Sequence, residues 1–289
     1  MTNETGAQPC SGKPAYSLES DAQSAKLARN MSGTEIIALA GAAAAAGVIN
    51  AVAGGGTLIT FPALLFFGTP PIVANATSTL ALVFGTAGSV FGFRQQIAGV
   101  KPWLKRFTPV SLLGGLVGGI LLTSTREEIF AKMVPFLILF ATIIFVTQGA
   151  FRRFAGFADK SETTATPHAR AVWAAVLFQF FVAVYGGYFG AGIGILMLAS
   201  LGYLGLTNIH EMNCLKTVLS SLINQVAAIY FIFAGLIDWP KTLVMTAGAV
   251  AGYFLGAHYS QRIPQKSVRQ IITAVGFIIS AVMFYKQFR

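Results

Sequence analysis

Residues 34–67 read TEIIALAGAAAAAGVINAVAGGGTLITFPALLFF, with Glu35 as the sole charge and three consecutive glycines, Gly54, Gly55 and Gly56, past the midpoint. At ~1.5 Å per residue such a stretch forms a helix of ~50 Å, too long for one perpendicular crossing of a ~30 Å bilayer core and short for two. Glycine carries an entropic penalty inside a helix and readily adopts positive φ, so the triplet breaks the segment there. Lipid cannot satisfy unwound N–H and C=O groups. A break at membrane depth therefore has to be packed in protein or line a wet cavity.

The surrounding sequence supports an apolar medium. No charged residue occurs from Ile36 to Phe93 or from Ala171 to Ile209. Further charge-poor runs cover Phe107–Thr125, Met133–Phe151, Thr217–Ile237, Thr242–Gln261 and Gln270–Tyr285. Most match a membrane thickness of roughly 20 apolar residues. Charged residues make up 10% of the 289, against about 25% in soluble domains, and 55% are apolar. An ordinary soluble enzyme is excluded. The runs are apolar on every side, which also excludes the alternating ~10-residue strands of a membrane barrel. The fold class is an all-α polytopic membrane protein.

The net charge of +10 reflects basic residues in short loops between apolar segments, so it reads as topology and not as nucleic-acid binding. Cys10 in a polar tail and Cys214 inside an apolar segment give no disulfide framework and no metal site. Residues 1–33 are expected to form a disordered cytoplasmic tail, because Met1–Ser32 is polar and lacks the apolar core of a signal peptide.

The broken segment has a partner. Residues 171–204, AVWAAVLFQFFVAVYGGYFGAGIGILMLASLGYL, also number 34 and are interrupted by Gly186, Gly187, Gly190, Gly192 and Gly194. Gly54–Ile59 aligns with Gly190–Ile195 at an offset of 136, Asn75 and Thr79 with Asn213 and Thr217 at 138, Gly99 and Trp103 with Gly235 and Trp239 at 136, and Gly115 and Gly119 with Gly252 and Gly256 at 137. Several pairs in one order predict two homologous repeats, 34–150 and 171–289, joined by a cytoplasmic linker over 151–170. Each repeat opens with a Gly-broken helix. Repeated halves are a common build of secondary transporters, with the site where the halves meet. The pairs Gly115/Gly119 and Gly252/Gly256 instead suit close helix packing.

Counting each broken segment as one net crossing gives about eight crossings and parallel halves. Fourteen Lys and Arg then fall on one side and five, Arg126, Lys132, Arg262, Lys266 and Arg269, on the other, with Lys216 inside a span. The positive-inside rule places both termini in the cytoplasm of an inner-membrane protein. Counting each broken segment twice gives ten spans and inverted halves, with an asymmetry of eleven against eight.

No phosphate-binding G-x-x-x-x-G-K-[ST] loop occurs, and His168, His210 and His258 have no metal-ligand spacing. The chain is read as no enzyme, with no cofactor and no metal. What remains is a set of glycines and neutral polar residues beside the breaks. Gly54, Gly55, Gly56 and Thr57 mark the first break, and Asn75, Thr77, Ser78 and Thr79 begin the following helix. Gly190 and Gly192 mark the second break, followed by Asn213, Lys216 and Thr217. Helix N-termini present unpaired N–H groups and about half a positive charge, which suits an anion in a pocket shared by the two breaks. Lys216 either holds that anion or snorkels to the interface. The hydroxyl and amide residues serve equally as caps, and Asn50, Asn224 and Gln225 as interhelical hydrogen bonds.

At these residues the sequence resembles the TauE/SafE family of sulfite and organosulfonate exporters, also called the toluenesulfonate uptake permease family. The resemblance rests on Ala53–Pro62 followed by Ala74–Leu80, and on Gly186–Gly192 followed by Asn213–Thr217. It runs from about Thr34 to Tyr285. It implies a duplicated multi-pass permease for small anions, typically sulfite or sulfonates. Lys216 corresponds to Ser78, so charge in the site is lopsided.

The expected function is a secondary transporter that exports sulfite or an organosulfonate by alternating access. An inside-negative potential favours anion efflux by ~2.3 kcal/mol per charge per 100 mV, so no coupling ion is required. The alternative is a non-transporting membrane scaffold or receptor subunit. Cation uptake is disfavoured by the lack of carboxylates in the spans. The expected partners are a small anion and the lipid bilayer, not nucleic acid; homo-oligomerisation stays open.

Overall fold

A computed structural model describes residues 31–52, 55–92, 97–154, 169–203, 208–259 and 265–288. Gly54, most of the expected tail and most of the expected linker lie outside these residues. Ten helices are described: α1 (Gly33–Val52), α2 (Thr57–Phe66), α3 (Pro71–Gly92), α4 (Ile97–Ser124), α5 (Glu127–Phe154), α6 (Ala169–Tyr188), α7 (Ile193–Tyr203), α8 (Ile209–Phe233), α9 (Trp239–Tyr259) and α10 (Gln265–Phe288). No strand is present among the described residues. Six helices are long and apolar enough to cross a membrane. Large apolar side chains such as Leu113, Phe136, Phe181, Phe233, Phe254 and Ile278 point outward, which lipid tolerates and water does not. The chain is a multi-pass membrane protein.

Local sequence sets the helix starts. Pro71 is the first residue of α3, where its missing N–H and fixed φ cost nothing. Asn208 and Glu211 form a reciprocal cap at α8: the Glu211 amide donates to Asn208 Oδ1 at 3.4 Å and Asn208 Nδ2 donates to Glu211 Oε1 at 3.2 Å. Asp238 caps α9, its Oδ1 accepting the Lys241 amide at 3.2 Å.

Glycine contacts fix the directions of the helices. Gly248, Gly252 and Gly256 of α9 lie in turn against Ala40, Ala44 and Val48 of α1, so these two helices run parallel. On α4, Gly114 and Gly118 meet Ala183 and Gly187 of α6, while Gly99, Gly115 and Gly119 meet Glu211, Ile223 and Ala227 of α8. Hence α4, α6 and α8 are parallel. Helix α3 runs with α9, because the Asp238 amide donates to Thr77 Oγ1 at 3.1 Å and Gly85 packs on Tyr253. Helices α5 and α10 are antiparallel, since Gly276 meets Thr142 while Ser280 Oγ donates to the Pro135 carbonyl at 3.1 Å. Helix α4 ends where α3 begins: Glu127, just past its end, accepts the Ile72 amide at 3.1 Å. The small residues of α4 and α9 thus serve close packing, as their spacing suggests.

These directions bear on the two broken segments. Helix α3 runs parallel to α1, and α8 to α6, so α2 and α7 each turn back. Lys241 makes the return visible, reaching Glu35 at the start of α1 (3.3 Å) and Thr69 at the end of α2 (2.9 Å). Each broken segment therefore begins and ends toward the same end of the bundle. A turn at positive φ reverses the chain's travel, a property that apolar length does not encode.

Candidate functional site

The first break is a turn at Gly55, whose φ is +95°, a conformation L side chains rarely adopt. A β-carbon there would also overlap the ring of Phe145 from α5. Asn50 Oδ1 accepts the Gly56 amide at 2.6 Å, which ties the end of α1 to the start of α2. Thr57 opens α2 and is half-buried. The second break turns at Gly190 (φ +82°) and Gly192 (φ +80°) before α7. Tyr185 Oη donates to the Ala191 carbonyl at 2.8 Å and braces it.

Both breaks meet one side chain. The Phe145 ring fills the space beside Gly55, and its Cε2 lies 3.8 Å from where a β-carbon of Gly192 would stand. Phe145 is 1% exposed. The N-termini of α2 and α7 therefore converge from two separate segments. The Phe145 ring stands where the shared pocket was expected. A second aromatic contact, Phe61 on α2 against Phe189 of the second break, has its ring centres 5.4 Å apart. An open hollow lined by Ala281, Val282, Tyr285 and Lys286 belongs to α10 alone.

The polar residues after the breaks stand differently from expectation. Helix α3 begins at Pro71 and α8 at Ile209, so Asn75–Thr79 and Asn213–Thr217 lie one to two turns inside their helices. At that depth the helix uses their backbone amides itself. N–H groups left open to a solute belong instead to the first turns of α2 and α7, where Asn50 already takes the Gly56 amide and the Gly55 and Gly192 carbonyls take those of Leu58 and Ile195; the residues on α3 and α8 contribute side chains only.

On α3 those side chains are engaged within the protein. Ser78 Oγ and Thr60 Oγ1 share a hydrogen bond at 2.6 Å, and Thr60 also donates to the Gly56 carbonyl at 3.3 Å. Thr79 Oγ1 donates to the Asn75 carbonyl at 2.8 Å, and Thr77 accepts from Asp238. Asn75 Nδ2 donates to the Tyr188 carbonyl at 2.9 Å, bonding α3 to the end of α6; its Oδ1 is buried without a partner. On α8, by contrast, Asn213, Lys216 and Thr217 are half-buried and make no hydrogen bond among the described residues. The Lys216 stem lies beside Gly194 in the first turn of α7, its Cδ 3.1 Å from where a β-carbon would stand. No described carboxylate is within ion-pair distance of its ammonium.

Sequence reasoning did not single out Phe145, Tyr185 or the cluster at the foot of α9. There Asp238 and Glu35 flank Lys241, with Asp238 Oδ2 3.6 Å from the ammonium, and all three are largely buried. Burial holds the Asp238 carboxyl above the usual carboxylate range, and its contacts with Lys241 offset this only in part. The cluster lies at the end of the first hairpin. Among the described residues no group of three metal-ligating side chains is found.

A family model described as sulfite exporter TauE/SafE matches residues 39–283. A probable membrane transporter protein of Haemophilus influenzae is 31% identical over 245 residues, covering 84% of this chain and 91% of its own length. A probable membrane transporter protein, ORF9, of Sinorhizobium is 27% identical over 247 residues, covering 83% and 88%. The probable membrane transporter protein YfcA of Escherichia coli K12 is 24% identical over 242 residues, covering 83% and 86%. No solved structure matches the chain significantly.

Proposed function

The chain belongs to the sulfite exporter TauE/SafE family, and from that premise we propose that it exports sulfite or a small organosulfonate across the cell membrane by alternating access. It is a transporter and not an enzyme. The observation that carries the cargo class is the convergence of two short-helix N-termini on one ring, with Lys216 beside the second. A helix start stabilises an anion by ~0.3–2 kcal/mol, and an ammonium without a competing carboxylate adds to that. Gly55, Gly56 and Thr57, with Gly190 and Gly192, form the backbone part of this reading. Lys216, Asn213 and Thr217 form its side-chain part, while Asn75, Thr77, Ser78 and Thr79 hold α3 in place. Gly54 completes the first glycine run.

We read residues 34–150 and 171–289 as inverted repeats. Support comes from the matched order of helices, each half holding a long helix, a short one and three long ones. Packing is exchanged in a matched way: α4 lies against α6 and α8, and α9 against α1 and α3. In this reading α3–α5 and α8–α10 make six net crossings, and the two hairpins add none. The hairpins also regroup the basic residues. Eleven Lys and Arg then accompany the connections that follow α3, α5, α7 and α9, against eight on the face of the termini. That excess favours the connections as the cytoplasmic side and reverses the expectation of cytoplasmic termini. A C-terminal alkaline phosphatase fusion would be active in this orientation and inactive in the other.

The functional test is sulfite efflux from proteoliposomes. An outward-positive potential should accelerate release over protein-free vesicles, and taurine or sulfoacetate in the lumen should compete. Release no faster than from empty vesicles would refute the cargo.

A further inference from the structure

A side chain that belongs to neither break lies beside both turns. Phe145 stands on α5, with its ring against Gly55 on one side and 3.8 Å from the β-position of Gly192 on the other. Ile144 Cγ2 and the Ala141 carbonyl, one turn or less away on the same helix, stand 3.7 and 3.8 Å from that position. One face of α5 therefore lines the second break while its Phe145 closes on the first. Any solute held by the N-termini of both α2 and α7 has to occupy the volume this ring now fills. Gly55 suits such a role: a larger residue would be strained at φ +95° and would leave the ring no room.

The packing of α5 allows the ring to leave. Tight glycine-mediated contacts join α1 to α9 and α4 to α6, with backbones touching. Helix α5 instead lies chiefly on α10 and touches α3 and α7 less extensively. A shift of α5, or a rotamer change at Phe145, opens the ground between the breaks without separating either tight pair. At an offset of 136–137 from Phe145, α10 carries Ala281 and Val282 in place of a phenylalanine. The closure is one-sided.

We propose that Phe145 is the gate and size filter of the permeation path, closing the space between the two breaks at rest and setting how large an anion passes when it withdraws. This deepens the transporter reading and rests on it for the identity of the solute, but not for the closure itself.

The test uses the full chain with Cys10 and Cys214 replaced, carrying either Thr57→Cys or Thr217→Cys, in sealed vesicles of known sidedness. With Phe145 present, a membrane-impermeant thiosulfonate reagent should reach each cysteine from one face at most. With Phe145→Ala, and to a lesser degree with Phe145→Leu, it should reach them from both faces. Flux of p-toluenesulfonate relative to sulfite should rise roughly tenfold, in the range that a few methylenes of pocket space are worth. Phe145→Leu keeps apolar volume and is the arm to read if Phe145→Ala does not give a monodisperse protein. An access pattern unchanged by either substitution in folded protein, with sulfite efflux intact, would overturn the gate and leave the transporter reading standing. Access that depends on Phe145 in a chain that moves no sulfite would uphold the gate and overturn the cargo.

Discussion

The two breaks are built on the same plan and finished differently. At the first, most polar side chains described are bonded inward, Asn50 to Gly56, Thr60 to Ser78, Thr79 to Asn75 and Thr77 to Asp238, while Thr57 makes no side-chain hydrogen bond among the described residues. At the second, Lys216, Asn213 and Thr217 make no side-chain hydrogen bond among the described residues and keep part of their surface reachable. Positions that correspond in sequence, Ser78 and Lys216, thus do opposite work. One stitches two helices together; the other, in the proposed reading, offers charge to the solute. Read as inverted repeats, the two halves would need only one to carry the ligand chemistry if the other supplies rigidity.

The largest expected effect sharpens this contrast at the hairpin ends. Lys241→Met leaves Glu35 and Asp238 buried without their cation and should cost about 3–5 kcal/mol, read as a fall in melting temperature in detergent. Its counterpart in the first half, Lys105, is exposed, and Lys105→Met should change stability by no more than ~0.5 kcal/mol. Equal effects at the two positions would show that the cluster is not a joint.

A smaller difference separates the glycines. Gly55→Ala meets both a positive φ and the Phe145 ring, so left-handed strain of ~1–2 kcal/mol adds to overpacking of ~1–3 kcal/mol. Gly192→Ala has the same kind of φ but no neighbour within 3.7 Å of the new methyl, leaving only the strain of ~1–2 kcal/mol. Chemical denaturation of both variants in one detergent should rank Gly55→Ala the more destabilised. The reverse order would contradict the placement of Phe145.

The smallest stability effect is at Ser78. Ser78→Ala removes the bond to Thr60, which retains its bond to Gly56, and should cost ~1 kcal/mol. Sulfite efflux should stay within about twofold, because the first break contributes structure more than charge. A melting temperature unchanged by the substitution would mean that the Thr60–Ser78 bond does not stitch α2 to α3.

The positions of both breaks were legible because glycine clusters at matched offsets leave a helix few options, and the apolar runs gave the helical, membrane-spanning class. The reversal of α2 and α7 was not. Apolar length reports solvation averaged over a segment, while direction after a turn depends on φ at Gly55, Gly190 and Gly192 and on which helices then pack. The helix starts were misplaced for a related reason: the polar residues from Asn75 to Thr79 look like caps, yet Pro71 and Asn208 supply better local starts several residues earlier. Phe145 is one phenylalanine among 24, and only the approach of two distant segments to its ring sets it apart. Lys216 stood out in the sequence because an isolated cation in an apolar stretch is expensive, and in the structure it lies beside Gly194.

The most direct test of the lopsided anion site is to measure sulfite efflux from proteoliposomes bearing Lys216→Ala beside those bearing Ser78→Ala and the unaltered chain, at equal protein content. Lys216→Ala should slow efflux by about tenfold or more, the equivalent of ~1.4 kcal/mol or above, with its melting temperature unchanged and Ser78→Ala near the parent rate. Efflux by Lys216→Ala equal to that of the parent would contradict the account.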